Sequence, residues 1–104
     1  MSSKYFVGID VGTNETKGIL INEVGKEIAS AVTSHSVENP KPNYFEHDAN
    51  EVWYKDVCII SNKLINKSHI NAKDIKCIGI SALSSDCLPV DINGNPLRKA
   101  ILYG

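Results

Sequence analysis

The chain has 104 residues, with 11 basic and 12 acidic side chains and a formal net charge of −1. That length suits one domain burying roughly 60–70% of its unfolded surface, and the balanced charge offers neither a basic stripe for nucleic acid nor a polybasic membrane patch. No apolar run approaches the ~18 residues of a spanning helix, and Met1-Ser2-Ser3-Lys4-Tyr5 lacks the apolar stretch of a secretion signal, so a cytoplasmic protein is expected.

Tyr5 to Ile9 is almost continuously apolar and reads as a central strand covered on both faces. After a tight connection at residues 12–15, Lys17 to Ile21 reads as a second strand, and so short a link makes the pair antiparallel. Asn22-Glu23-Val24-Gly25 is a turn with Gly25 free to take a positive φ. Lys26 to Ser34 alternates, with Ile28, Ser30, Val32 and Ser34 on one face, as in a third antiparallel strand. From His35 to His47 the periodicity disappears, and Asn39-Pro40-Lys41-Pro42-Asn43 reads as a surface loop. Asp48 is placed to cap a helix whose third residue is Glu51. Trp53, Val57, Ile60 and Leu64 form its apolar stripe, and Asn66-Lys67-Ser68 frays its end.

Ile75 to Ser81 reads as a second buried strand, which a helical crossover sets parallel to the first. Leu88 to Ile92 and Leu97 to Tyr103 read as a hairpin joined by Asn93-Gly94 in a type I′ turn. The expected order is βββ-α-β and then a β-hairpin: an α/β domain with a mixed sheet and one crossover helix. Cys58, Cys77 and Cys87 form no Cys-x-x-Cys motif and lie in or beside apolar runs, so buried free thiols are expected. Trp53 reads as core, His47 as a surface or capping residue, and His35 and His69 as loop residues.

The chemistry concentrates in Gly8-Ile9-Asp10-Val11-Gly12-Thr13-Asn14-Glu15-Thr16-Lys17. Asp10 ends a strand, where its carboxylate can reach a Mg²⁺ shell. Gly12 lets backbone amides approach an anion with no Cβ in the way. Thr13 and Thr16 bring hydroxyl donors and Lys17 a point charge, the parts needed to hold nucleotide phosphates. The spacing is neither that of a Walker loop nor that of a dinucleotide fingerprint, since a strand follows where either would place a helix. An ordinary hairpin turn explains Gly12, but not Asp10 and Lys17 flanking it.

This stretch resembles the first phosphate loop of the superfamily that joins sugar kinases, heat-shock chaperones and actin. Later segments resemble the FGGY carbohydrate kinases, among them xylulokinase and glycerol kinase. Tyr44 to Trp53 is similar to their Trp-x-Glu-x-Asp-Pro-x-x-Trp stretch, Ile78-Gly79-Ile80-Ser81 to their Ile-Gly-Ile strand, and Asp91 to Tyr103 to their Asp-x-x-Gly-x-Pro-Leu-Arg hairpin. The resemblance implies part of a ribonuclease H-like (actin-like ATPase) fold and an ATP-dependent kinase acting on a sugar or polyol, most plausibly a ketopentose such as xylulose. It gives Asp10 a catalytic role as a Mg²⁺ holder, with Gly12, Thr13, Thr16 and Lys17 against ATP. Substrate contacts would fall on Ser84, Ser85, Asp86 and Tyr103. Ser84 and Ser85 stand where glycerol kinases carry Arg-Glu and xylulokinases Met-His. The resemblance also implies that residues 1–104 are the N-terminal part of the sugar-binding domain, with the catalytic base and the adenine site beyond Gly104. The piece by itself is then expected to be inactive and, with uncovered strands, prone to self-association such as a homodimer. Another actin-like sugar kinase and a non-catalytic binding module of the same ancestry are the alternatives.

Overall fold

Residues 3–103, the part that this computed structural model describes, run through β1 (Tyr5–Val11), β2 (Glu15–Asn22), β3 (Glu27–Ser34), β4 (Glu38–Lys41) and β5 (Tyr44–His47). A π-helical turn (Ala49–Tyr54) then leads into α1 (Lys55–Ser68), followed by β6 (Ile75–Ala82) and β7 (Ala100–Ile101). The strands form a four-stranded sheet in the order β3-β2-β1-β6 and a three-stranded sheet in the order β4-β5-β7. As the sequence implies, β1–β2 and β2–β3 are antiparallel and β6 returns parallel to β1.

Strand alternation sorts the first sheet into two faces. Val7, Ile9 and Val11 of β1, Leu20 of β2 and Ala29 and Ala31 of β3 pack against Ile60 and Leu64 of α1. Trp53 and Val57 lean on that core, so the expected stripe is the one that is buried. Closeness of helix and sheet depends on Gly18, where an added Cβ would lie 2.2 Å from Cγ2 of Ile60. Asp48 caps the helical segment, its Oδ1 accepting from the N–H groups of Asn50 (3.0 Å) and Glu51 (2.9 Å).

Several expectations are corrected. The strand β1 is covered by α1 on one face only, and Asp10 on the other is exposed. On β3 the expected alternation holds: Ile28, Ser30, Val32 and Ser34 share one face, which is the exposed one, and Ala29 and Ala31 are buried on the other. Residues 38–47 form a hairpin, not a loop. Pro40 is tolerated because β4 is an edge strand whose pairing to β5 is irregular, and Pro42 lies in the turn, where Asn43 reverses the chain at φ 67°. The strand β6 is exposed along nearly its whole length, Ile78 and Ile80 included, because α1 lies over β3, β2 and β1. His69 is the left-handed C-cap of α1, its N–H bonding the Ile65 carbonyl.

The last segment also differs from a simple hairpin. Only Gly94 takes a positive φ in the Asp91–Asn95 turn, which excludes type I′; the Asp91 carboxylate accepts from the N–H groups of Asn93 and Asn95 instead. Asn22 and Gly25 build the same turn between β2 and β3. The returning segment pairs with β5, through Ile101 with Glu46 and Ala100 with His47. All three cysteines are free, as expected, yet exposed.

The helix–sheet contact predicts the effect of one methylated position. Gly18→Val should lower stability by about 1–3 kcal/mol through overpacking against Ile60. Gly79→Ala, whose Cβ meets open space, should change it by less than about 0.5 kcal/mol. Urea unfolding midpoints at unchanged slope measure both.

Candidate functional site

The turn between β1 and β2 is held from beneath. Gly12 N–H donates to the Glu15 carbonyl at 2.9 Å, and a Cβ on Gly12 would lie 2.9 Å from that same oxygen, so glycine is required there by close backbone approach. The Gly12 and Thr13 carbonyls point inward: His35 Nε2 lies 2.9 Å from the first and 3.0 Å from the second, and His47 Nε2 lies 3.0 Å from the second. Peptides here are trans, so an inward carbonyl sends the next N–H the opposite way. The amides of Thr13 and Asn14 are therefore aimed away from the histidines. Among the described residues neither has a hydrogen-bond partner. Two adjacent free amides at the tip of a turn have the form of an anion cradle.

Asp10 and Lys17 flank this tip. They are register partners in β1 and β2, so their side chains leave the same, open face of the sheet. Both line a cleft of about 480 Å³ with Gly8, Gly18 and Ser81. Ser81 Oγ donates to Asp10 Oδ1 at 2.9 Å, and the Lys17 ammonium pairs with Glu15 at 3.2 Å. The parallel register of β6 beside β1 supplies Ser81, a partner that the pattern of the first strand alone does not reveal.

Thr16 lies elsewhere. It is 0% exposed, on the helix face, and its hydroxyl donates to Asp56 Oδ2 at 2.6 Å, which corrects its expected place among phosphate donors. Asp56 in turn sits 2.7 Å from His35 Nδ1. His47, expected at the surface, is fully buried: Trp53 Nε1–H donates to its Nδ1 at 3.1 Å, which leaves Nε2–H to donate to Thr13. Burial, and next the nearby His35 ring, lower its pKa below the ordinary 6.5. His35, Asp56 and His47 were missed because their partners are 6 to 40 residues away in sequence.

The second sheet brings a pocket to the same turn. Thr13, Val37, Phe45, Leu83, Ser84, Asp86, Leu102 and Tyr103 line about 430 Å³. Asp86 Oδ1 accepts from the Tyr103 N–H at 2.9 Å, while its Oδ2 is buried with no hydrogen-bond partner among the described residues. Ser84, Asp86 and Tyr103 are thus brought together, Tyr103 largely exposed. Ser85 is outside that lining and holds a left-handed backbone at φ 64°. Thr13 belongs to both the cradle and this pocket.

Residues 5–104 match the FGGY family of carbohydrate kinases, N-terminal domain. A glycerol kinase of Trichormus variabilis is 34% identical over 103 residues, covering 98% of this chain and 20% of the relative. Among solved structures, gluconate kinase from Lactobacillus acidophilus superposes with a TM-score of 0.85 at 30% identity, over 96% of this chain and 20% of that one. Plasmodium falciparum glycerol kinase with ADP gives 0.78 at 26% identity, over 97% and 20%. The chain spans about a fifth of the length of these relatives.

The buried imidazole makes stability depend on pH. Because the folded pKa of His47 is below 6.5, the unfolded chain binds more protons as pH falls through that value. Its contribution is complete above about pH 6.5 and is lost progressively below. Relative to His47→Gln, the wild-type urea midpoint should fall between about pH 7 and pH 5. The amide of that variant can donate to Thr13 and accept from Trp53 without titrating; equal falls would exclude His47 as the source.

Proposed function

Because the chain belongs to the FGGY family of carbohydrate kinases, we propose that the longer protein carrying it passes the γ-phosphoryl group of ATP to a hydroxyl of a neutral sugar or polyol. A ketopentose such as xylulose is the leading candidate. What supports the reading is the meeting at Thr13 of an amide cradle suited to an anion and a pocket suited to a hydroxyl compound.

In this reading the Thr13 and Asn14 amides receive phosphate oxygens, and Lys17 adds a positive charge on the neighbouring open face. Phosphoryl transfer asks the protein for positioning and charge neutralisation, and fixed amides supply both without reorganising. Asp10 fits a Mg²⁺ shell: a single exposed carboxylate, one oxygen of which bonds Ser81, suits an ion that keeps several waters and takes one or two carboxylates alongside phosphates. The bound ion would neutralise charge developing on the phosphates.

At the other end, Asp86 Oδ2, buried and without a partner, would accept a hydrogen bond from a substrate hydroxyl once the carboxylate turns toward the pocket that Ser84 also lines. A buried acceptor without a partner is costly, and a polyol relieves that cost. The same carboxylate disfavours a substrate that carries its own carboxylate, so neutral compounds are preferred over gluconate. Tyr103 presents an aromatic face at the rim. Residues 1–104 alone supply one wall of such a site, and they are expected to release no ADP.

The full-length protein assayed for ADP release against xylulose, other ketopentoses, pentitols, glycerol and gluconate tests this. Turnover should be highest with a neutral polyol or ketose. Asp10→Asn should cost about 10²–10³ in kcat, and Asp86→Asn should raise KM for the sugar more than for ATP. No turnover with any neutral polyhydroxy compound, or a preference for gluconate, would refute the assignment.

A further inference from the structure

Beneath the cradle lies a buried ionic contact that a simple β-turn does not require. His35 Nδ1 is 2.7 Å from Asp56 Oδ2, and the two side chains are 5% and 6% exposed. Asp56 Oδ2 already accepts the Thr16 hydroxyl at 2.6 Å. The other ring nitrogen, Nε2, faces the carbonyl oxygens of Gly12 and Thr13. Carbonyl and carboxylate oxygens have no proton to give, so each nitrogen of His35 must carry its own. His47 shows the contrasting pattern, with one nitrogen accepting from Trp53 and the other donating to Thr13.

Resting on the reading that the turn holds phosphate, we propose that His35, as the imidazolium partner of the Asp56 carboxylate, is the positioning residue that aims the Thr13 and Asn14 amides. The geometry gives it that reach. Its own N–H donates to the Asn14 carbonyl at 2.9 Å, and its ring holds the two preceding carbonyls. Its far nitrogen is anchored to α1 through Asp56, and Asp56 is anchored to β2 through Thr16. A turn otherwise free to rock about its two strands is thereby fixed to the helix. Hydrogen bonds to a charged donor are short and strong, and a buried charge left without its partner is destabilising, so the contact holds one geometry. The edge of the His47 ring, centred 4.9 Å from that of His35, closes the remaining side without competing for the same proton, because its Nε2–H is committed to Thr13.

The full-length protein and its His35→Phe and Asp56→Asn variants test the inference. In the ¹⁵N spectrum of the folded wild type, His35 should show two protonated ring nitrogens and His47 one. Each variant should bind MgADP about tenfold more weakly, the scale of one charge-assisted hydrogen bond, while KM for the sugar changes less than about twofold. The double variant should be no weaker than either single, because the two side chains act as a unit. Asp56→Asn preserves shape and an acceptor for Thr16, so it carries the test if His35→Phe fails to fold. A bare nitrogen on His35, wild-type MgADP affinity in the folded variants, or equal losses for nucleotide and sugar overturns the role of His35. A wild type that binds no nucleotide overturns the kinase reading itself, and leaves the histidine with no phosphate to serve.

Discussion

The contact of Ile60 on Gly18 sets the register for everything above it. Two residues along a strand advance about 6.7 Å, and four residues along a helix advance about 6 Å. A strand and a helix running side by side in the same direction therefore keep step at those intervals. With Gly18 against Ile60, the next pair toward the turn is Thr16 against Asp56, the observed hydrogen bond. Absence of a Cβ at one strand position thus delivers a carboxylate to the underside of a turn that lies two residues further on. His35, just beyond β3, fills the space between that carboxylate and the turn.

Direction follows from peptide planarity. Two histidines collect the carbonyls of Gly12 and Thr13, and a trans peptide cannot send its N–H the same way as its carbonyl. Outward amides are the consequence of inward carbonyls, not an independent feature. The sheet's two faces then divide the work. The helix face buries the Thr16–Asp56–His35 chain, where low polarity strengthens each bond. The open face carries Asp10 and Lys17, exposed and able to meet an ion or a phosphate.

The turn and its flanking strands were legible because their determinants are local. A glycine, two hydroxyls and charges at fixed offsets, bounded by apolar runs, specify a hairpin and suggest its chemistry without tertiary information. The capped helix and its stripe were legible for the same reason. Thr16 reads as a turn donor by its offset from Gly12, but strand alternation overrides that offset: counting back from buried Leu20 by twos gives Gly18 and Thr16 on the helix face. His35 and His47 could not be found this way, since each is defined by carbonyls more than 20 residues distant. Pro40 mimics a loop, because an edge strand and a loop make the same small demand on backbone N–H groups. The cysteines reversed expectation because apolar neighbours in sequence alternate in space: Cys77 points from β6 opposite to Ile78, and neither side of that strand is covered among the described residues.

The second sheet explains why a pocket lies at Thr13 at all. Pairing of β5 with β7 places Ala100 beside His47, so the histidine that holds Thr13 also marks where the returning segment docks. From there Tyr103 N–H reaches back to Asp86, and the carboxylate is turned with one oxygen satisfied and one buried and free. Opposite electrical preferences thus sit on either side of one residue. Amide hydrogens with Lys17 nearby favour an anion, and a lone carboxylate oxygen favours a hydroxyl hydrogen and repels an anion. On the proposed reading, that polarity sorts the two reactants by charge before any contact with their distinguishing groups. A polyphosphate is drawn to the cradle and excluded from the pocket, and a neutral polyol is indifferent to the cradle but relieves the unpartnered oxygen. On that reading Thr13, shared by the turn and the pocket, is the element that would orient both reactants, so ordering the two substrates and choosing between them would be the same physical act.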